Sequence, residues 1–302
     1  MADRPLLAGV EAGGTKVLAV LGYGPHDIVD QVRIPTTTPE ATLGALLTFF
    51  SEQTAGGNIP AAAGIASFGP VELRKESPRY GQILTTPKPG WSNTDVLGPL
   101  RESLGVPIGF DTDVNGAALA EGRWGAARGL DTFVYLTIGT GIGGGAVVNG
   151  KIAHGMIHSE MGHIVVPHHP ADAFTGRCPF HGDCLEGMAA GPAIEARWGQ
   201  RAEHLTEGEL KSATEMEAWY LAAGIRSLVY LLAPQRVILG GGVPKLPGLF
   251  GLVRSALIEM LGGYPGLPEH AAEDFIVPPG LGDLAGPGGA LALAELALEE
   301  AG

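Results

Sequence analysis

Two stretches of the chain share one pattern, and that pattern limits the fold more than any other feature. "GVEAGGTKVLAV", residues 9–20, and "TIGTGIGGGAVV", residues 137–148, each predict a strand, a tight turn of glycine and threonine, and a second strand. A supersecondary unit that recurs within one chain often marks a duplicated domain. Chance similarity between two glycine-rich turns is the alternative, and the sequence alone leaves it open.

The rest of the chain alternates predicted strands with predicted helices. Strands are predicted in "LLAGVEAGG", "TKVLAVLGY", "IVDQVRIPT", "AAAGIASFG", "VPIGFDTD", "TFVYLTIGTGIGGGAVVNGKIA" and "RVILGGGV". Helices are predicted at about 39–54, in "NGAALAEGRWGAA", and at about 186–198, 213–232, 247–262 and 286–300. This alternation predicts an α/β fold with mixed sheets.

The second turn contains Gly139-x-Gly141-x-x-Gly144, which spells the dinucleotide-binding fingerprint. That fingerprint requires a helix after the glycines, with its N-terminus facing the pyrophosphate. Here "GAVVNG" follows, a β-branched run that ends in an Asn-Gly turn signal. The glycines therefore join two strands, and the nicotinamide-cofactor interpretation fails.

The first turn resembles a Walker A loop, because Gly9-x-x-x-x-Gly14 precedes Thr15-Lys16. A P-loop ends in Gly-Lys-Ser/Thr and opens a helix, whereas "KVLAVLGY" predicts a strand. What remains is two glycine hairpins, whose backbone N–H groups a ligand can approach closely. Two such turns could hold a polyphosphate, or they could be ordinary hairpins.

Composition narrows the function classes. The 302 residues carry a net charge of −13, which opposes binding to nucleic acid or to an anionic membrane surface. No apolar run reaches the roughly 18 residues of a membrane span, and "MADRPLLAGV" does not have the pattern of an export signal. We therefore expect a cytoplasmic protein with a sizeable core, since hydrophobic residues make up 45% of the chain.

The only two cysteines lie in Cys178-x-x-His181-x-x-Cys184, which brings three candidate zinc ligands into one short loop. A fourth ligand could come from His158, His163, His168 or His169. We favour His163, because "EMGHIVV" predicts it at the start of a strand. A closed site with four ligands leaves no position for water, so the zinc would be structural; two free thiols are the alternative.

Polar residues 111–115, "DTDVN", follow a predicted strand and precede an alanine-rich helix, where sites of α/β proteins gather. An Asp or Thr here could simply cap the helix. One aspartate could instead be a general base that takes a proton from a hydroxyl nucleophile. Chemistry alone does not choose between Asp111 and Asp113.

The ordered motifs "GVEAGGTK", "DTDVNGAALAEGRWG", "TIGTGIGGG", "SEMGHI", "CPFHGDCLEG" and "RVILGGGV" together resemble the ROK family of sugar kinases, most closely its fructokinase-like branch, over residues 7 to about 292. The resemblance implies an actin/hexokinase-like (ribonuclease H-like) fold: two duplicated α/β domains around a central cleft that binds ATP and Mg²⁺. The domains expected are residues 1–117 plus 288–302, and residues 118–287 with the zinc loop.

The resemblance also implies roles for individual residues. Asp113 matches the catalytic base, while Glu160, His163, Glu186, Gly69 and Thr112 match the sugar site. The zinc set is His163, Cys178, His181 and Cys184. ATP would lie against Gly13, Gly14, Thr15, Lys16, Gly139, Thr140, Gly141, Pro192, Gly240, Gly241, Gly242 and Val243.

Three departures separate this chain from the glucokinase-like members of the family. Glu11 stands where Asp is usual near the Mg²⁺, and Thr112 replaces the Asn that precedes the base. The loop Cys-x-x-His-x-x-Cys replaces an arrangement of three cysteines. All three favour the fructokinase-like branch, as does the segment 67–91, whose backbone and polar side chains, with Trp91, are expected to border the sugar.

We therefore expect an enzyme that phosphorylates a hexose with Mg²⁺-ATP and that carries a structural Zn²⁺. The favoured reaction is the conversion of D-fructose to fructose 6-phosphate. Mannose or glucose is the alternative substrate. A sugar-binding regulator without catalysis is the alternative class, but such members carry an N-terminal helix-turn-helix, and the first strand here begins near Leu6. The family's habit predicts a homodimer.

Overall fold

The computed structural model describes residues 4–302, and the chain forms two compact units. The first comprises the residues up to Arg128, Ile152–Ser159 and Gly280–Gly302; the second comprises Gly129–Lys151 and Glu160–Pro279. The predicted boundaries at 117/118 and 287/288 fall inside two helices. The contacts place both helices whole in the first unit, because they pack on one another and on its sheet.

Within residues 4–302, ten strands form two five-stranded sheets. The strands are β1 Leu7–Ala12, β2 Lys16–Gly24, β3 Asp27–Pro35, β4 Ala62–Ser67, β5 Ile108–Thr112, β6 Phe133–Ile138, β7 Ile142–Val148, β8 Lys151–Ile152, β9 Arg236–Gly240 and β10 Ile276–Val277. The order is β3-β2-β1-β4-β5 in one sheet and β10-β9-β6-β7-β8 in the other.

The two sheets have the same topology. In the first, β1 pairs antiparallel with β2 and parallel with β4. In the second, β6 pairs antiparallel with β7 and parallel with β9. The next strand outward, β5 or β10, is again parallel. The repeated hairpin is therefore the first part of a repeated sheet, and chance similarity of two turns does not explain it.

Eight α-helices complete the fold of the part of the chain that the structure describes. They are α1 Pro39–Ala55, α2 Gly98–Leu104, α3 Asp113–Trp124, α4 Leu185–Ala189, α5 Gly191–Trp198, α6 Glu207–Leu232, α7 Leu249–Leu261 and α8 Ala285–Ala301. Among residues 4–302, none of these helices is both long enough and apolar enough to span a membrane.

The predicted helix at 186–198 is two helices, α4 and α5. Ala190 between them is extended, with φ −78° and ψ 161°. Pro192 has no N–H to donate to the carbonyl oxygen of Met188, and its ring would clash with that group in a continuous helix. The Arg197 guanidinium donates to this carbonyl instead, at 2.8 Å.

Two other helices differ from their predictions. Helix α6 starts at Glu207 rather than 213, because the Thr206 hydroxyl and the Glu209 carboxylate form a reciprocal capping box. Helix α2 was not predicted; one carboxylate oxygen of Asp95 accepts hydrogen bonds from the N–H groups of Leu97 and Gly98 at its start.

Helix α8 lies very close to the first sheet. A Cβ at Gly64 of β4 would lie 2.0 Å from the carbonyl oxygen of Ala290, and one at Gly109 of β5 would lie 2.3 Å from that of Leu293. Glycine is thus required at both positions for the helix to approach. The other face of this sheet carries a core that includes Leu46, Phe50 and Trp91.

Candidate active site

The first hairpin turn presents an exposed backbone. The N–H of Gly13 donates to the carbonyl of Lys16 at 2.9 Å, and the Thr36 hydroxyl donates to the carbonyl of Gly13 at 2.7 Å. Gly14, Thr15 and Lys16 are exposed. A Cβ at Gly14 would meet nothing within 4 Å, so a ligand has room to approach the backbone there.

The two aspartates after β5 have different environments. Asp111 is the penultimate residue of the strand, and only 3% of its side chain is exposed. Asp113 is the first residue of α3 and is half-buried. Between them, the Thr112 hydroxyl caps α3 by accepting from the N–H of Asn115 at 3.2 Å. The cap interpretation is therefore correct for Thr112.

Hydrogen bonds occupy both carboxylate oxygens of Asp111. Oδ1 accepts from the N–H of Thr112 and from the side-chain amide of Asn115, each at 2.7 Å. Oδ2 lies 2.8 Å from Nε2 of His154, and this hydrogen bond raises the pKa of His154 while burial opposes the increase. Asp111 is thus a fixed structural carboxylate, whereas Oδ1 of the half-buried Asp113 accepts from the N–H of Val114 at 2.9 Å.

A histidine holds the loop that follows β4. Nε2 of the buried His158 accepts a hydrogen bond from the N–H of Val71 at 3.0 Å, next to the cis peptide Gly69–Pro70. His158 is therefore not a zinc ligand, although the sequence left it as a candidate. Trp91 is 1% exposed and donates to the carbonyl of Thr37 at 2.8 Å, so it belongs to the core rather than to an open surface.

Glu11 lies in β1, beside the first turn of α8. Burial raises the pKa of its carboxyl, while the charges of Lys16 and Arg33 oppose that increase. Cross-strand pairing aligns Glu11 with Leu18, and Leu18 with Arg33. The carboxylate thus sits near two cations on one face of the sheet, close to the first hairpin turn.

The second hairpin turn is tied to α4. The N–H of Gly139 donates to the carbonyl of Gly141 at 2.9 Å, and the Glu186 carboxylate accepts from the N–H of Ile142 at 2.9 Å. A Cβ at Gly141 would lie 2.6 Å from Oε2 of Glu186. Gly141 is needed for this close approach, which sequence analysis did not foresee.

A cavity of about 450 Å³ opens beside this turn in the second unit. It brings together residues from three separate stretches of the chain. Five residues assigned to ATP from the sequence line it: Gly139, Thr140, Pro192, Gly242 and Val243. Gly240 and Gly241 shape the loop that leads to it; Gly241 has φ +94°, and a Cβ there would lie 2.3 Å from the carbonyl of Ile138.

Four side chains converge in a candidate zinc centre: His163, Cys178, His181 and Cys184. Their ligand atoms all lie within 4.8 Å of one another. Three sulfur–nitrogen distances are 3.5–3.7 Å. Tetrahedral zinc with ordinary bond lengths has sulfur–nitrogen edges of about 3.6 Å, so this donor set fits zinc.

The environment of the centre also suits a structural metal. Both cysteines are buried, and burial raises the pKa of the Cys184 thiol to about 11; zinc binding requires the thiolate, so a bound cation would have to displace this proton. His163 ends a 3-10 helix, Met161–His163, and the prediction that it starts a strand is wrong. Val165, two residues later, forms an isolated β-bridge with Cys184 rather than part of a strand.

A buried network anchors the chain that leads into this centre. Asp172 and Arg197 form an ion pair at 3.1 Å, with 5% and 8% of their side chains exposed. The Tyr220 hydroxyl donates to Asp172 at 2.7 Å and accepts from the N–H of His169 at 3.2 Å. Helices α5 and α6 thus hold the loop before Cys178. His168 instead pairs with Asp183 on the surface, at 3.0 Å.

The chain resembles known proteins over nearly its whole length. The model of the ROK family matches residues 7–297. A fructokinase of Zymomonas mobilis is 45% identical over 294 residues, covering 97% of each chain. The structure of a ROK hexokinase from Thermus thermophilus has a TM-score of 0.78 at 28% identity, covering 98% of this chain and 99% of the other.

A ROK family glucokinase from Streptomyces griseus, solved with glucose and AMPPNP, has a TM-score of 0.75 at 26% identity and covers 96% of this chain and 99% of its own. With the repeated sheet topology, these likenesses confirm the predicted actin/hexokinase-like fold.

Proposed function

This chain belongs to the ROK family, and on that premise we propose that it is a fructokinase that transfers the γ-phosphoryl group of ATP to the 6-hydroxyl of D-fructose. The observation that carries the kinase assignment is the cavity beside the second hairpin turn, lined by five of the residues expected to contact ATP. The 45% identity to a fructokinase over 97% of both chains supports fructose as the acceptor.

Asp113 is the general base in this proposal. It accepts the proton of the attacking hydroxyl while the oxygen forms its bond to the γ-phosphorus and ADP leaves. The hydrogen bonds of the buried Asp111 support this choice. Both of its carboxylate oxygens already accept hydrogen bonds within the protein, so Asp111 is poorly suited to take a proton from a substrate. Thr112 fixes the start of α3 and thereby the backbone of Asp113.

Backbone amides of the two hairpin turns bind the phosphates. The first turn offers Gly13, Gly14, Thr15 and the ammonium group of Lys16; the second offers Gly139, Thr140 and Gly141. N–H groups at such turns stabilise the charge of the transferring phosphoryl group. Gly240, Gly241, Gly242, Val243 and Pro192 bind the adenosine, and ATP is the donor.

Glu11 is the carboxylate on the magnesium side. A half-buried carboxylate beside Lys16 suits a position at the edge of a phosphate site. When bound, magnesium would supply positive charge that neutralises the phosphate groups. The chain's own contribution is to hold the carboxylate in place.

The sugar hydroxyls bind Glu160, His163 and Glu186, together with Gly69 and Thr112. Glu160 is exposed and precedes the 3-10 helix that carries His163, and Glu186 opens α4 directly after Cys184. His163, Cys178, His181 and Cys184 would hold a zinc ion, which would tie these segments to one another. In this role the zinc would be structural and would take no part in the reaction.

The proposal includes a cytoplasmic homodimer that binds neither nucleic acid nor membranes. Exposed apolar side chains on the second unit support an association surface: Tyr230, Leu231 and Tyr264 are 49%, 74% and 71% exposed. Sedimentation of the purified protein at several concentrations tests this part. A monomer at all concentrations would contradict it.

The decisive experiment measures ADP release with Mg²⁺-ATP and equal concentrations of fructose, mannose, glucose or N-acetylglucosamine. We expect the highest kcat/KM for fructose. A higher value for mannose or glucose would replace the acceptor but keep the kinase. No turnover with any of the four, in a zinc-replete sample, would contradict the proposed function.

A further inference from the structure

Gly286, the second residue of α8, lies against the carboxylate of Glu11. A Cβ built on Gly286 would lie 2.2 Å from Oε1, 2.3 Å from Cδ and 2.6 Å from Oε2 of Glu11. All three of the nearest atoms therefore belong to one carboxylate. The space that a side chain at 286 would fill is the space that Glu11 occupies.

Backbone conformation does not explain this glycine. Gly286 is helical, and its φ lies outside the left-handed region that favours glycine. Glycine within a helix is less favourable than alanine, because it loses more conformational freedom on folding. Its neighbour Gly289 is explained by packing, since a Cβ there would lie 2.5 Å from the backbone of Gly116. At Gly286, by contrast, the three atoms nearest to such a Cβ all belong to the side chain of Glu11.

We propose that Gly286 is a positioning residue for Glu11, and that the two form a matched pair which sets where the carboxylate meets the magnesium-bound nucleotide. The inference rests on the proposed role of Glu11 on the magnesium side. In this pair the longer side chain of Glu, compared with the usual Asp, is accommodated by the absence of a Cβ on the facing helix.

Charge supports the same arrangement. The carboxylate lies at the N-terminal turn of α8, where helix N–H groups carry partial positive charge, and near Lys16 and Arg33. Burial raises its pKa, so the position of the carboxylate relative to these groups matters for its charge. Moving it away from Gly286 changes both its reach and its environment.

The pair makes an unusual prediction for Gly286→Ala. The obstructing atoms are the far end of a flexible side chain, so the fold can accept the methyl group while Glu11 swings away. Thermal stability should stay equal or rise, because Ala favours the helix. Function should fall, because a misplacement of about 1 Å in a site costs up to about a hundredfold.

The test compares Gly286→Ala, Glu11→Asp, the double variant, and Gly44→Ala as the control. Gly44 is also a helical glycine of the first unit, but a Cβ there meets nothing within 4 Å. Thermal unfolding of the ligand-free proteins is one readout. The Mg²⁺ concentration needed for half-maximal ADP binding, measured by calorimetry, is the second, and turnover is the third.

For Gly286→Ala we expect the Mg²⁺ concentration for half-maximal ADP binding to rise at least about tenfold, with an unchanged or higher Tm. Gly44→Ala should match the parent in both measurements. In the Glu11→Asp background, which is one methylene shorter, Gly286→Ala should add little. An unchanged Mg²⁺ requirement in Gly286→Ala, or its full effect in the Asp background, would overturn the pairing.

Glu11→Gln separates this inference from the proposed function. If it leaves the Mg²⁺ requirement unchanged, the role of Glu11 is wrong and the pairing fails with it. If Glu11→Gln raises the Mg²⁺ requirement for ADP binding while Gly286→Ala leaves it unchanged, only the pairing fails. Absence of sugar turnover would contradict the fructokinase proposal, yet Mg²⁺-dependent ADP binding would still test the pair.

Discussion

Oδ2 of Asp111 and Nε2 of His154 lie 2.8 Å apart, which fixes the residue two positions before the proposed base. Asp111 is 3% exposed, whereas His154 is 39% exposed and faces solvent on one side. An ordered carboxylate at the end of β5 thereby orients the start of α3. This arrangement gives Asp111 a structural role in "DTD" and leaves Asp113 as the proposed base.

Replacement of the base tests the central assignment. Asp113→Asn should lower kcat by about a hundred- to ten-thousandfold, because the amide cannot accept the hydroxyl proton. ADP binding measured by calorimetry should change little, since the proposed nucleotide residues are elsewhere. Asp131→Asn, at an exposed aspartate, is the control. Full activity of Asp113→Asn would show that the base is a different group.

The pair Asp111–His154 predicts a pH-dependent stability difference. The hydrogen bond with Asp111 raises the pKa of His154 in the folded protein, so this stabilisation is full below the ordinary pKa and declines as pH rises through the raised value. The Tm gap between the parent and His154→Gln should therefore be larger at pH 5.5 than at pH 9. His204→Gln, at an exposed histidine, should show no such trend. A gap that stays constant with pH would refute this coupling.

Removal of one thiolate tests the metal centre. Cys178→Ser should lose zinc and lower the Tm, because three remaining ligands hold the ion less tightly and the loop is no longer closed. Zinc content by mass spectrometry of the native protein and thermal unfolding measure both effects. His168→Ala is the control, since His168 lies outside the cluster. Full zinc occupancy in Cys178→Ser would remove Cys178 from the ligand set.

Glu121 should contribute strongly to stability. Its fully buried carboxylate accepts hydrogen bonds from the N–H groups of Ala126, Gly280 and Leu281, at 2.6, 2.9 and 3.0 Å. Glu121→Ala should lower the free energy of unfolding by about 3 kcal/mol, because it leaves the buried N–H of Leu281 and the two partly buried N–H groups of Ala126 and Gly280 without their acceptor. Urea unfolding measures this loss, with the exposed Glu52→Ala as control. A loss as small as that of the control would mean that water replaces the carboxylate.

The spacing of residues along the sequence determined much of the local structure and part of the candidate site. Residues that are near in sequence define the two glycine turns, the junction of β5 and α3 at residues 111–115, and the closely spaced Cys178, His181 and Cys184. Secondary structure and ligand spacing are set by the backbone over a few positions, which is why these predictions agree with the structure.

Tertiary structure decided the rest. Several contacts depend on segments that only the fold brings together. They are the pairing of Asp111 with His154, the hydrogen bond from Val71 to His158, and the hydrogen bonds to Glu121 from backbone donors up to 160 positions away. Likewise, the sequence shows Gly286 only as a glycine within a predicted helix. The structure shows that the carboxylate of Glu11 occupies the space where a Cβ of residue 286 would lie. A sequence pattern carries the preferences of neighbours along the chain, whereas packing sets which distant groups share a desolvated space.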